Sequence, residues 1–225
     1  MAIIYISTLD IYRKVSYTKL GCDRIESEYQ GIHWYSSCTS EHFNYLKKYW
    51  YYQNYSRIDL FKIHGKQIDY NLKLSKSQYY LNLCIDHYLD IWPSEKKASC
   101  HGDLTLDNVI FSPQGAVFFD WEHFYDKGEV WGFDIAYLIM SAAFFPNYKS
   151  GALDKDDCKA LKSLWDRLRK NGLGGDLSKY PMDYFFDVFN NGLHWKGIVD
   201  RSPKKLFPVW SSEKFNEYLH KVINE

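Results

Sequence analysis

The chain has 225 residues with 28 basic and 28 acidic side chains, so its formal net charge is zero and no global field draws it to nucleic acid or an anionic membrane. Aromatic residues make up 19% of it, including 20 tyrosines, a content that excludes disorder, and the length suffices for one domain or two small lobes. Five cysteines without a scaffold-like spacing point to a reduced, cytoplasmic protein. The N-terminus lacks the basic start of a signal peptide, and no run of about 20 apolar residues could span a bilayer.

Residues 2–6 and 10–16 read as two strands around Ser7-Thr8-Leu9-Asp10. In the second, Ile11, Arg13 and Val15 alternate with Tyr12, Lys14 and Ser16. Residues 23–36 follow as a helix with Ile25, Tyr29, Ile32 and either Tyr35 or Trp34 on one side. Residues 49–53 and 57–63 flank Asn54 as a second hairpin, and residues 63–68 carry the chain onward. Residues 75–92 predict a helix whose core stripe is Leu81, Cys84, Ile85, Tyr88, Leu89 and Trp92, with Ser75 as its cap and Pro93 as its stop.

The chemistry gathers around residues 99–122. A strand from Val109 to Phe111 turns at Ser112-Pro113-Gln114-Gly115 and returns as Ala116 to Phe119. Asp103 and Asn108 precede this hairpin, and Asp120 and Glu122 follow it. Pairing the strands brings Asn108 and Asp120 within reach of one ion, with Asp103 nearby. Carboxylate and amide oxygens are the hard ligands that Mg²⁺ prefers, and a further carboxylate can orient an attacking hydroxyl. A lone His-Gly-Asp is usually a turn and a lone Asp-Trp-Glu a strand end; the spacing of the two is what those plain readings leave unexplained. His101 reads as an orienting, hydrogen-bonded residue. Glu122 reads equally as a group supporting the metal or substrate and as a solvated side chain. Cys84 with His87 and Cys100 with His101 lack the further pair that would complete a zinc site.

Beyond the hairpin, residues 130–145 are apolar on nearly every side and predict a buried helix ended by Pro146. Residues 154–170 are amphipathic, with Cys158, Leu161, Leu164, Trp165 and Leu168 inward and Lys155, Lys159, Lys162 and Arg169 outward. Gly172, Gly174 and Gly175 read as a loop, Pro181 as the start of a helix over 182–195, and Ser211 as the cap of a last helix stapled by Trp210 and Phe215.

His101-Gly102-Asp103, with Asn108 five residues after the aspartate and Asp120 after a short hairpin, resembles the catalytic and metal loops of the protein-kinase-like superfamily. The glycine after the histidine, and Asp120-Trp121-Glu122, resemble its aminoglycoside phosphotransferase and choline kinase branch. The resemblance implies an α+β, two-lobed kinase-like fold, with a reduced N-lobe over residues 1–65 and a helical C-lobe over residues 66–225. It implies Asp103 as catalytic base, Asn108 and Asp120 as Mg²⁺ ligands, and Asp134 as the aspartate tying the catalytic loop to the next helix. Lys14 and Glu28 take the places of the pair that holds the α/β phosphates of ATP, with Lys19 and Glu26 as runners-up. The plain alternative is a solvated surface pair, and on either reading the pair is expected to be exposed, so that Lys14→Met costs the unliganded protein only ~0–1 kcal/mol. Residues 63–68 would meet the adenine edge.

One departure stands out. No glycine precedes Gly21, so a glycine-rich loop over the phosphates is missing and the N-lobe reads as truncated, lacking at least its first strand. The implied activity is ATP- and Mg²⁺-dependent phosphorylation of a small-molecule hydroxyl, on an aminoglycoside, an amino alcohol or a sugar. The segment Leu104 to Asn108 and the compact size resemble small proteins of bacterial surface-polysaccharide (lipopolysaccharide) synthesis, which makes a sugar the first choice. No insert of activation-segment length separates Asp120 from Asp134, which argues against a protein substrate. The rival reading is a catalytically silent, kinase-like nucleotide- or partner-binding protein, favoured by the missing loop.

Overall fold

Strands β1 (Ile3–Ser7) and β2 (Ile11–Ser16) pair antiparallel, Tyr5 opposite Lys14, across the predicted turn. The computed structural model describes residues 3–39, 43–92, 98–129, 131–147 and 153–172. Strands β3 (Leu46–Tyr52) and β4 (Tyr55–Phe61) complete a four-stranded antiparallel sheet in the order β1-β2-β4-β3. Their tight turn places Gln53 at φ 48.

Helix α1 (Lys19–Cys38) packs on this sheet. It begins four residues before the apolar period does, because the Thr18 hydroxyl accepts the Gly21 N–H at 3.3 Å and caps the first turn. Ile25, Ile32 and Tyr35 are wholly buried, and so is Glu28 on the same helix. Tyr29 and Trp34 are half-buried, Tyr29 stacking on Tyr49 of β3 at 4.3 Å.

Helix α2 (Leu74–Ile91) buries Leu81, Cys84, Ile85 and Tyr88 of the expected stripe; Leu89 is half-buried, and Trp92 is buried just past the helix end as its C-cap. Ser75 does not cap it. Lys73 holds the cap position without a side-chain bond, and the Ser75 N–H donates to Asp157 Oδ1 at 2.8 Å. The first turn is therefore closed by a carboxylate from a distant helix, α4 (Lys155–Lys170), on which Asp154 caps by accepting the N–H groups of Asp156 and Asp157 at 3.0 and 2.9 Å. Ala160, Leu161, Leu164, Trp165 and Leu168 form its buried face, with Cys158 half-buried.

The described residues also form two smaller sheets. Strands β5 (Lys66–Gln67), β7 (Val109–Ser112) and β8 (Gly115–Phe118) form one, in the order β5-β7-β8, and β6 (Ala98–Cys100) pairs with β9 (Tyr125–Glu129) in the other. Helix α3 (Phe133–Asn147) is buried from Phe133 to Ala143. It carries Pro146 in its final turn, so it ends just after the proline and not before it. The architecture is thus α+β, with antiparallel sheets and four α-helices among the described residues. No described helix is long and apolar enough to cross a membrane.

Aromatic side chains connect the sheets. Trp121 is fully buried, lies 5.0 Å from the Tyr35 ring and stacks with Trp92 at 6.0 Å, while its indole N–H donates to the Phe118 carbonyl at 3.2 Å. That anchors the segment carrying Asp120 and Glu122. The predicted features at Pro93, Val130, Gly174, Gly175, Pro181, 182–195, Trp210, Ser211 and Phe215 lie outside the described residues.

Candidate functional site

The loop after β6 is held from beneath by one carboxylate. Asp134, in the first turn of α3, accepts the His101 N–H on Oδ2 at 2.7 Å and the Gly102 N–H on Oδ1 at 2.9 Å. Gly102 has φ +82, and a Cβ there would sit 2.3 Å from the His123 carbonyl oxygen, so both the conformation and the space call for glycine. His101 is fully buried; its Nε2 meets the Phe119 carbonyl at 2.9 Å, and its Nδ1 accepts the Asp103 N–H at 3.4 Å. Burial lowers its pKa to about 4 against the opposing pull of the Phe119 carbonyl, so the ring is neutral and orients the loop.

Asp103 receives a hydrogen bond from the Tyr137 hydroxyl on Oδ1 at 3.0 Å. Asn108 ends a single 3-10 turn, Leu106–Asn108, and its amide N–H donates to the Asp103 carbonyl at 2.7 Å. The Phe119 N–H donates to the Asn108 carbonyl at 3.1 Å, which ties the two mouths of the hairpin together next to Asp120. Asp120 adopts φ +66, an uncommon conformation for a residue with a side chain, though aspartate tolerates it best with asparagine.

A second cluster centres on Lys14. Its ammonium is 3% exposed and lies 2.7 Å from Glu28 Oε2 and 2.9 Å from Glu122 Oε1, with a still shorter contact to Asp120 Oδ1. Lys14 and Glu28 therefore do pair, but not on the surface. The expectation of an exposed pair fails on both readings, because α1 covers this part of the sheet and leaves Glu28 wholly buried. Lys19 and Glu26 are both exposed on α1. Glu122 is not a solvated side chain either. It is 9% exposed, lies 3.6 Å from the Arg24 guanidinium and accepts from the Tyr5 hydroxyl at 3.4 Å.

One ammonium faces three carboxylates, and the titration of the group reflects this. Burial opposes the charge on Lys14, but Glu28, Asp120 and Glu122 together hold its pKa well above the ordinary lysine value. Burial also acts against charge on Asp120, yet the Lys14 ammonium keeps that carboxyl below its usual range. Glu28, the deepest, goes the other way: burial outweighs Lys14 and pushes it up to about 8. Its Oε1 has no hydrogen-bond partner in the described structure.

A cavity of about 370 Å³ opens over this cluster. Lys14, Glu28, Asp120 and Tyr5 line it, together with the apolar Tyr12, Tyr45, Leu60, Ile63 and Ile110, and with His64 and Gln67 from the connector. Ligand oxygens of Glu28, Asp120 and Glu122 lie within 4.8 Å of one another. Asp120 is the most exposed of the three at 40%, and its carboxylate is a hard oxygen donor suited to Mg²⁺; Asn108 stands at the other mouth of the hairpin, its backbone carbonyl bonded to the Phe119 N–H. The predicted residues thus fall into two groups joined at Phe119 and Asp120: Lys14, Glu28, Asp120 and Glu122 in one; His101, Asp103, Asn108 and Asp134 in the other. Sequence reasoning passed over Tyr5, Arg24 and Tyr137. Tyr137 stands three residues after Asp134, on the same helix face, a spacing that could have drawn attention to it.

No protein-family model matches the chain, and no curated protein matches it.

Proposed function

We propose that the chain is a kinase-like phosphotransferase that moves the γ-phosphoryl group of ATP to the hydroxyl of a small molecule, a sugar being the first choice. The observation that carries this reading is the buried Lys14–Glu28 pair, 2.7 Å apart, on the wall of a cavity that Asp120 also lines. At about 370 Å³ the cavity falls within the ~300–1,000 Å³ usual for small-ligand sites. The reading includes the two-lobed organisation, residues 1–65 and 66–225, with the cavity beside the connector.

In this mechanism the apolar walls take the adenine and Lys14 meets phosphate oxygens. Asp103 orients the acceptor hydroxyl and takes its proton as the new oxygen–phosphorus bond forms and the bond to the ADP oxygen breaks. Tyr137 keeps the Asp103 carboxylate turned, and Asp134 fixes the loop on which it stands. Mg²⁺ held by Asp120 and Asn108 would neutralise charge on the transferred phosphoryl group. Arginine-free phosphate recognition at the cavity wall is compatible with a lysine acting as a point charge.

The test is thermal stability with and without ATP and Mg²⁺. At 100 times its dissociation constant a ligand adds about 2.7 kcal/mol. Asp120→Ala should remove the Mg²⁺-dependent part of that gain while the unliganded protein still folds. A wild type indifferent to ATP and Mg²⁺ overturns the reading. The second reading, a binding protein without turnover, is favoured by the glycine-free Thr8-Leu9-Asp10 turn. A panel of sugars, aminoglycosides and amino alcohols assayed for phosphate transfer separates the two.

A further inference from the structure

The connection between β1 and β2 is closed by its own hydrogen bonds. The Thr8 N–H donates to the Ile11 carbonyl at 2.9 Å, and the Ile11 N–H donates to Thr8 Oγ1 at 3.2 Å. Leu9, between them, is 89% exposed. Two of the turn's N–H groups are thus engaged within it, and there is no glycine to let the backbone approach a ligand. The side chains that line the cavity are in position to meet negative charge entering it.

Tyr5 is placed to do so. The β1–β2 register sets it directly opposite Lys14, and cross-strand partners project from the same face. The Lys14 ammonium lies 5.9 Å from the centroid of the Tyr5 ring, which leans on Tyr12 at 6.0 Å. Tyr5 lines the cavity and is 53% exposed. Its hydroxyl donates to Glu122 Oε1 across 3.4 Å, near the outer limit of a hydrogen bond, so little holds it there. Glu122 keeps Lys14 as a partner at 2.9 Å if the tyrosine turns away. Burial, helped by the Glu122 carboxylate, raises the phenol to about 12, so it stays protonated and able to donate.

We propose that Tyr5 is a phosphate-binding residue of this cavity: its hydroxyl leaves Glu122 and donates to a polyphosphate oxygen beside Lys14, where the turn has no glycine to bring its backbone onto a phosphate. This rests on the nucleotide-binding reading above and adds to it the group that covers the phosphates. Tyr12, on the neighbouring strand, supports the ring that presents the hydroxyl.

The experiment is calorimetric titration of the full chain, wild type and Tyr5→Phe, with ATP, ADP and adenosine in the presence of Mg²⁺. Phenylalanine keeps the ring and its contact with Tyr12, so the unliganded melting temperature serves as the check that the variant folds. A hydrogen bond to a charged acceptor is worth about ten- to hundredfold in affinity. Tyr5→Phe should lose that much for ATP and ADP and nothing for adenosine. Equal affinity of the two proteins for ATP and ADP overturns the proposal and leaves nucleotide binding standing. The same loss for adenosine also overturns it, since the contact would then be to the nucleoside. A wild type that binds none of the three ligands removes the nucleotide-binding reading, and the role of Tyr5 with it.

Discussion

The Tyr137 hydroxyl donates to Asp103 Oδ1 at 3.0 Å, so the carboxylate carried by the loop after β6 is oriented by a side chain of helix α3. A base that positions a nucleophile acts mainly in the transition state. Asp103→Asn should therefore lower kcat by about 10²–10⁴-fold with little change in nucleotide affinity. Tyr137→Phe should lower kcat less, because the carboxylate remains and only its orientation is lost. Phosphate transfer and ATP titration on the same preparations check both. Transfer by Asp103→Asn at the wild-type rate would remove Asp103 from the chemistry.

Lys14 is the shared counter-charge of three carboxylates, two of them buried. Removing one partner of a buried ion pair strands the other, at a cost of about 3–5 kcal/mol. Lys14→Met should accordingly destabilise the unliganded protein, unlike the loss of an exposed pair. Adding Glu28→Gln should restore part of the loss by removing the deepest carboxyl. Lys19→Met, at an exposed position, should be near neutral. Urea unfolding of the three variants and the wild type decides, and an unaltered Lys14→Met midpoint would contradict the buried-pair account.

Asp134 satisfies two backbone donors at once, the N–H groups of His101 and Gly102. An unsatisfied buried donor costs about 1–3 kcal/mol. Asp134→Ala should destabilise by at least that much, with Asp134→Asn intermediate because one acceptor oxygen remains. The measurement is again denaturant unfolding. Identical midpoints for Asp134→Ala and wild type would mean that the loop finds other acceptors.

His87 sets an acid limit on stability. The Tyr35 hydroxyl accepts the Phe118 N–H at 3.2 Å and shares a hydrogen bond with His87 Nε2 at 2.5 Å. Burial lowers the pKa of His87 to about 4 from the ordinary 6.5. Between pH 6.5 and 4 the unfolded chain binds a proton that the folded chain does not, so stability is full above that window and falls as the pH drops through it. His101 and His123, lowered to about 4 and about 3, both chiefly by burial, act in the same direction. The melting temperature should fall from pH 6.5 to 4, and His87→Gln should fall less over the same interval. Parallel curves for the two proteins would exclude His87 from the effect.

Much of the local structure was legible in the residues themselves. The alternation in residues 10–16 predicts β2, and the 3.6-residue period over 154–170 predicts α4. Ser112-Pro113-Gln114-Gly115 between apolar runs predicts the hairpin of β7 and β8. These signals act over a few neighbours, through side-chain direction and turn geometry, and so survive without knowledge of the fold. The hairpin also explains why Asn108 and Asp120 could be placed at adjoining strand ends: pairing two short strands leaves their outer ends little freedom.

What only the tertiary structure decided is the environment of each charge. Lys14, Glu28, Asp120 and Glu122 come from β2, α1 and the segment after β8, and nothing local says that one ammonium meets three carboxylates or that α1 seals Glu28 from water. Ser75 looks like a cap until Asp157, 82 residues on, supplies the acceptor for its N–H. Tyr5 becomes a candidate ligand only once the strand register sets it opposite Lys14 and the cavity opens beside it. The interaction of a charge depends on the distance and burial of every neighbour, and those are fixed by packing between elements far apart in the chain.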